Sequence, residues 1–229
     1  MFKVERSIAV TRNSRNRLVD AARHHKEFET AALVAPLQAA RGPALAACPV
    51  KELALVVGVG PGLGFALAKR LAREGMAVVM ASRNAERLDS LTREIRDDGG
   101  MAVAYGCDAT SEISVSELFQ HVCARHGVPN LVVYSLQSCG PGNAVDIEVP
   151  AFEDSWRHNC LGAFLVAREA ARTMVPLARG TILFTGSTSS LLGRAGHLNL
   201  AVGKSGQCAL AQVLPRELCP LGIPGPSNH

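Results

Sequence analysis

Aromatic side chains are scarce, with one Trp, two Tyr and seven Phe in 229 residues. That scarcity leaves no base-stacking platform, so a nucleic-acid partner is not expected. The seven cysteines (Cys48, Cys107, Cys123, Cys139, Cys160, Cys208 and Cys219) form no CxxC pair and have no metal-ligand spacing. No metal site or redox dithiol is therefore expected. An odd set of isolated thiols fits reduced residues in a reducing compartment, and a cytoplasmic location is expected. No secretory leader pattern stands at the N-terminus. The uncharged run 53–68 has 16 residues and contains Gly58, Gly60, Pro61, Gly62 and Gly64. It is too short and too glycine-rich for a membrane span and reads instead as strand, turn and helix.

Charge is also unevenly placed. Net charge is +4, and residues 1–50 carry all of the excess, with eight Lys/Arg against four Asp/Glu. The remainder is neutral, so the basic balance says nothing of a basic face on the main body. Arg and Ser among apolar residues suggest a mitochondrial-type presequence, but Glu5, Asp20, Glu27 and Glu29 oppose it. Residues 1–50 read as a loosely ordered extension with a helix near 17–28. Residues 51–229 read as a single dinucleotide-binding domain. Hydrophobic residues are 48% of the chain and charged ones 19%, enough to build a core without disulfides.

From Glu52 the pattern is regular. The runs 53–57 and 77–81 are apolar throughout, as strands buried on both faces are, and 101–105, 130–135 and 180–185 read as three further strands. Helical patterns fall between them, at about 63–74, 85–98, 114–126 and 152–175, with a last helix over 199–218. Strands alternating with helices predict a doubly wound parallel sheet, a three-layer α/β/α fold of Rossmann type.

The turn from Gly58 to Gly64 falls between the first strand and first helix. Glycine lets the chain turn tightly and lets backbone approach a diphosphate, whose charge meets free amides at the helix start. Gly58, Gly60, Gly62, Leu63 and Gly64 are therefore candidate cofactor contacts. Ser82 and Arg83 end the second strand, where dinucleotide folds meet the adenosine ribose. An acidic residue there would bind a free 2′-hydroxyl; Arg83 suits a 2′-phosphate, so NADP is expected ahead of NAD.

With these motifs the chain resembles the short-chain dehydrogenase/reductase family. Gly58, Gly62 and Gly64 match its glycine turn, with Val57 in place of a threonine. Asp108 matches its adenine-contacting aspartate, Asn159 its helix-borne asparagine, Ser187 its active-site serine and Lys204 its lysine. The resemblance covers roughly residues 52–223. It implies hydride transfer between a nicotinamide cofactor and a carbonyl or secondary alcohol, with Ser187, Lys204 and Asn159 as catalytic candidates and Lys204 also holding the nicotinamide ribose. It also implies a homo-oligomer through the helix bearing Trp156, Phe164 and Val166.

The departures are as informative. The family's acid/base tyrosine would stand four residues before Lys204, where this chain has Leu200. The Asn-Asn-Ala-Gly stretch after the fourth strand is replaced by Tyr134-Ser135-Leu136-Gln137. The family continues past position 223 into further strands, whereas His229 is the last residue here. The last strands are thus expected to be absent, leaving the fifth strand's outer edge bare and prone to association. A proton could come from the hydroxyls at 187–190, from His197, or from water held by Asn159 and Lys204. Each candidate also has a structural alternative: Arg83 and Lys204 as solvated surface cations, Ser187 as a turn cap, Asn159 as a backbone binder. The competing functional reading is a relative that binds nucleotide without catalysing.

Overall fold

The computed structural model describes residues 32–37, 52–140 and 142–221. The helix expected near 17–28, and most of the extension assigned to residues 1–50, lie outside them.

The expected strands form, and Leu53–Val57 and Leu131–Tyr134 are buried along their whole length. β1 is Ala32–Leu37, β2 Leu53–Val57, β3 Ala77–Ser82, β4 Met101–Gly106, β5 Leu131–Tyr134 and β6 Gly180–Thr185. Their order across the sheet is β1-β6-β5-β2-β3-β4. β4, β3, β2, β5 and β6 run parallel. The helices are α1 (Leu63–Arg73), α2 (Asp89–Asp97), α3 (Glu112–His126), α4 (Val149–Trp156), α5 (Gly162–Met174) and α6 (Leu198–Leu218).

Strand alternation divides the core in two. Leu53, Leu55 and Val57 of β2 face Val115, Phe119 and Val166 of α3 and α5. Ala54 and Val56 face Ala68, Leu71 and Ile95 of α1 and α2. Two helical layers therefore sandwich the sheet, as the sequence pattern implied. Leu210 and Leu214 place α6 in the layer of α3 and α5.

Boundaries differ where local chemistry was not read. α3 starts at Glu112 because the Ser111 hydroxyl accepts from the Ser114 amide, and it stops at Gly127, whose φ is 91°. The long helix expected over 152–175 starts at Val149 with Pro150 in its first turn. It is split into α4 and α5 by a π-helical turn, Arg157–Leu161.

The bare edge expected on β6 is corrected. β1 pairs antiparallel along β6, with Ala32 opposite Thr185 and Leu37 opposite Gly180. An antiparallel partner needs no crossover helix, so an N-terminal segment can cover this edge directly. Pro36 is tolerated because β1 is itself the outermost strand. No helix among the described residues is long and apolar enough to cross a membrane.

The two-sided core sets a first prediction. Leu55 has no solvent exposure, whereas Ile113 is 72% exposed. Leu55→Ala should cost about 2–5 kcal/mol in urea denaturation. Ile113→Ala should stay within about 0.5 kcal/mol.

Candidate active site

The glycine turn is tight at its ends and open in its middle. Gly58 has φ +90°, and a Cβ there would lie 2.7 Å from Leu136. A Cβ on Gly64 would lie 3.1 Å from the Gly58 carbonyl oxygen. The turn and the loop after β5 therefore need glycine to pack this closely. At Gly60 and Gly62 a Cβ would meet nothing within 4 Å. The Gly58 and Val59 amides both donate to Ala81 O, tying the turn to β3. The first amides of α1 to find acceptors are Phe65, on Gly60 O, and Ala66, on Gly62 O. Among the described residues the amides of Gly62, Leu63 and Gly64 have no backbone acceptor. Gly62 is the N-cap and supplies no side chain, and the first turn of α1 has no acid. The positive end of the helix thus faces open space. Beside it, the buried Ser135 hydroxyl has no partner among the described residues.

At the far end of β3, Ser82 Oγ donates to Asn84 O at 2.9 Å. Arg83 is exposed, and no described group pairs with its side chain. Asp108 Oδ1 accepts from the Thr110 amide at 2.9 Å and its hydroxyl at 2.7 Å. Burial pushes the Asp108 carboxyl upward, but these bonds, with His158 and Arg83 nearby, hold it below its ordinary value.

Asn159 lies in the π turn and is fully buried. Its Nδ2 donates to Ser138 O at 2.7 Å and Ser155 O at 2.9 Å. Its Oδ1 accepts from the Ser138 amide at 3.3 Å. The side chain is thereby committed to latching the loop after β5, which is the backbone-binding alternative. π turns recur at functional sites, and here the extra residue aims Asn159 inward. Tyr134, where the family has an asparagine, donates its hydroxyl to His158 O in the same turn.

Lys204 is 1% exposed, so it is no solvated surface cation. Its Nζ donates to Gln207 Oε1 at 2.9 Å, Thr185 O at 3.0 Å and Leu136 O at 3.3 Å. One ammonium group thus ties the ends of β5 and β6 to α6. Burial draws its pKa from 10.5 down to about 8. Gly203 permits the approach, since a Cβ there would lie 2.6 Å from Asn159 Cβ.

Ser187 follows β6 in extended backbone and caps the short turn Thr188–Ser190. Its Oγ accepts from the Ser189 amide at 3.2 Å. A hydroxyl that accepts there keeps its proton for another acceptor. The Ser205 hydroxyl holds this turn to α6 through Ser190 O, at 3.2 Å. Leu200 is buried at 5% exposure in the first turn of α6. His197 caps that helix, is exposed, and forms a bridge with Gly142. The structure therefore gathers Ser187, Lys204 and Asn159 around α6, and the glycine turn, Arg83 and Asp108 at the carboxyl ends of the other strands.

Residues 52–224 match the family described as short chain dehydrogenase. The chain belongs to that family. It is 32% identical over 177 residues to sorbitol-6-phosphate 2-dehydrogenase of Escherichia coli (strain K12), covering 76% of this chain and 68% of the relative. It is 28% identical over 174 residues to the 3-oxoacyl-[acyl-carrier-protein] reductase MabA of Mycobacterium avium, covering 76% and 64%. A solved short-chain dehydrogenase from Rhodopseudomonas palustris superposes with a TM-score of 0.71 at 32% identity, over 76% of this chain and 81% of that one. A variant of actinorhodin polyketide ketoreductase solved with NADPH gives a TM-score of 0.72 at 27% identity, over 75% and 67%. The chain thus spans about two thirds of the length of these curated relatives.

Gln207, Ser135 and Ser138 were not singled out from the sequence. Gln207 stands three residues after Lys204, on the same helical face, and that spacing was the available signal. Among the described residues, Gln207 Nε2 and Ser135 Oγ are buried without partners. Among the described residues no cluster of His, Cys, Asp or Glu could hold a metal ion.

The buried lysine sets the second prediction. A lysine whose pKa falls on folding binds fewer protons folded than unfolded between pH 8 and 10.5. Its contribution therefore rises with pH across that window and is flat below it. In paired denaturation curves, wild type should gain stability relative to Lys204→Met as pH rises from 8 to 10.5. A constant difference would show that Lys204 is not desolvated.

Proposed function

We propose that this short-chain family member is an NADP-preferring oxidoreductase acting on a small carbonyl or secondary alcohol, with proton transfer weakened at position 200. The observation that carries the reading is the open turn at Gly62, where a Cβ would meet nothing within 4 Å and where, among the described residues, the amides of Gly62, Leu63 and Gly64 have no backbone acceptor. A diphosphate is the anion that suits this turn. Gly58, Gly60, Gly62, Leu63 and Gly64 would line it, and the partnerless Ser135 hydroxyl offers a further donor beside it. Arg83 has no hydrogen-bond or ion-pair partner among the described residues and stands where a 2′-phosphate would, and the second Asp108 carboxyl oxygen remains available to an adenine amine. Ser82 would lie against the ribose between them. NAD remains the weaker choice because no acid stands at the end of β3 to bind a free 2′-hydroxyl.

When bound, the nicotinamide would supply or accept the hydride. The chain's own work is to place the carbonyl and to move a proton. Ser187 would donate a hydrogen bond to the carbonyl oxygen and polarise it while keeping its proton. Lys204 would hold the nicotinamide ribose from its place at the ends of β5 and β6. Asn159 holds the loop after β5 in position. Leu200 neither gives nor takes a proton, and losing an acid/base costs about 10²–10⁴ in rate.

That last point favours a second reading, a family member that binds NADP without turnover. Trp156 and Phe164 are 38% and 40% exposed on α4 and α5, which supports a homo-oligomer through that face. Val166 points into the core instead. The free cysteines fit a cytoplasmic protein.

Fluorescence titration with NADPH and NADH tests the cofactor reading. NADPH should bind at least tenfold more tightly, and Arg83→Ala should abolish the difference. Leu200→Tyr should raise carbonyl-dependent NADPH oxidation by about 10²-fold or more if the site is otherwise assembled. Equal affinity for the two cofactors removes the 2′-phosphate assignment.

A further inference from the structure

β4 is the outermost strand at the end of the sheet opposite β1. In a parallel strand, alternate residues point their backbone groups to opposite sides. Cys107 donates to Ser82 O of β3, so residues 103 and 105 also face β3 and residues 102, 104 and 106 face outward. Ala102 O accepts from Arg96 Nε at 2.9 Å, consistent with that direction. Ala104 has no corresponding partner among the described residues. It lies on the floor of an open groove of about 520 Å³, between α2 and the end of α3.

The walls of this groove are cationic. Arg93 and Arg96 project from α2 and Arg125 from α3, with Asp89 the only carboxylate among the described residues that line the space. Arg93 and Arg125 have no hydrogen-bond or ion-pair partner among the described residues. Cations on neighbouring α1 are all neutralised, Lys69 by Glu94 and Asp98, Arg70 by Glu74, Arg73 by Asp98. Tyr105 OH and His126 Nε2, 2.9 Å apart, make a fixed wall at one end. β4 has no proline to spoil pairing, and alanines at 102 and 104 leave room above its edge. A second copy of the same edge would bring arginines against arginines, so self-pairing is disfavoured.

We propose that this groove binds an acidic, extended segment of a partner protein, which adds a strand to β4. The segment's backbone pairs with the Ala104 amide and carbonyl, and its carboxylates meet Arg93 and Arg125. Main-chain pairing supplies a shared part of affinity, and charge-assisted contacts supply selection. The groove is separate from the glycine turn, so the proposal does not rest on the oxidoreductase reading.

The test is fluorescence anisotropy with a labelled, end-capped eight-residue peptide alternating Glu and Val. Three comparison arms use the Lys/Val peptide, the Glu/Val peptide with alternate amides N-methylated, and inorganic phosphate as competitor. The Glu/Val peptide should bind, weaken with salt, and lose at least tenfold in affinity on N-methylation. The Arg93→Glu/Arg125→Glu protein, shown folded by an unchanged melting temperature, should lose at least tenfold as well. No binding of the Glu/Val peptide overturns the proposal, as does equal binding of the Lys/Val peptide. Equal binding of the N-methylated peptide would mean a charged patch without strand addition. Full displacement by millimolar phosphate would mean a small-anion site, and either result also overturns it.

Discussion

Among the described residues, three amide groups at the start of α1 have no backbone acceptor, and much of the site is arranged around keeping them so. A helix start ordinarily finds a capping side chain. Here the cap is Gly62, which has none. Closing the turn against Leu136 requires Gly58, and packing α1 back on the turn requires Gly64. Leu136 then presents its carbonyl to Lys204, which also holds Thr185 O. A continuous run of contacts therefore links the turn, the ends of β5 and β6, and α6. Movement of α6 would be felt at the glycine turn through a single ammonium group.

That linkage gives Lys204 a structural meaning alongside any role toward a ligand. A buried ammonium is costly unless its protons are used, and all three are used here. Its depressed pKa reflects the remaining cost of burial. Leu200, one turn earlier, fits the same environment as an apolar side chain would. The lysine's position is thus retained by packing and hydrogen bonding even though the residue four before it carries no titratable group.

The strands are readable because a sheet covered on both faces leaves a continuous apolar signature, as at 53–57 and 77–81. The glycine turn was readable for a similar reason, since only backbone constraints explain so many glycines between strand and helix. The π turn holding Asn159 was not, because residues 157–161 carry no break in helical periodicity; the insertion follows from the Tyr134 and Ser138 contacts. β1 was also missed. Its apolar run lies in an Ala-rich segment punctuated by prolines, and pairing with β6 is a long-range event with no local mark. Gln207 was overlooked because a glutamine on a helix reads as surface until the lysine it serves is known to be buried.

The central claim is that the open part of the turn is shaped for a diphosphate, and Gly62→Val tests it most directly. Gly62 has φ −94°, outside the glycine-only region, and its Cβ would meet no protein atom. Calorimetric titration of wild type and variant with NADPH, beside their melting temperatures, separates folding from binding. The account predicts an unchanged melting temperature without ligand and at least a tenfold loss of NADPH affinity. NADPH binding equal to wild type in a folded Gly62→Val protein would contradict it.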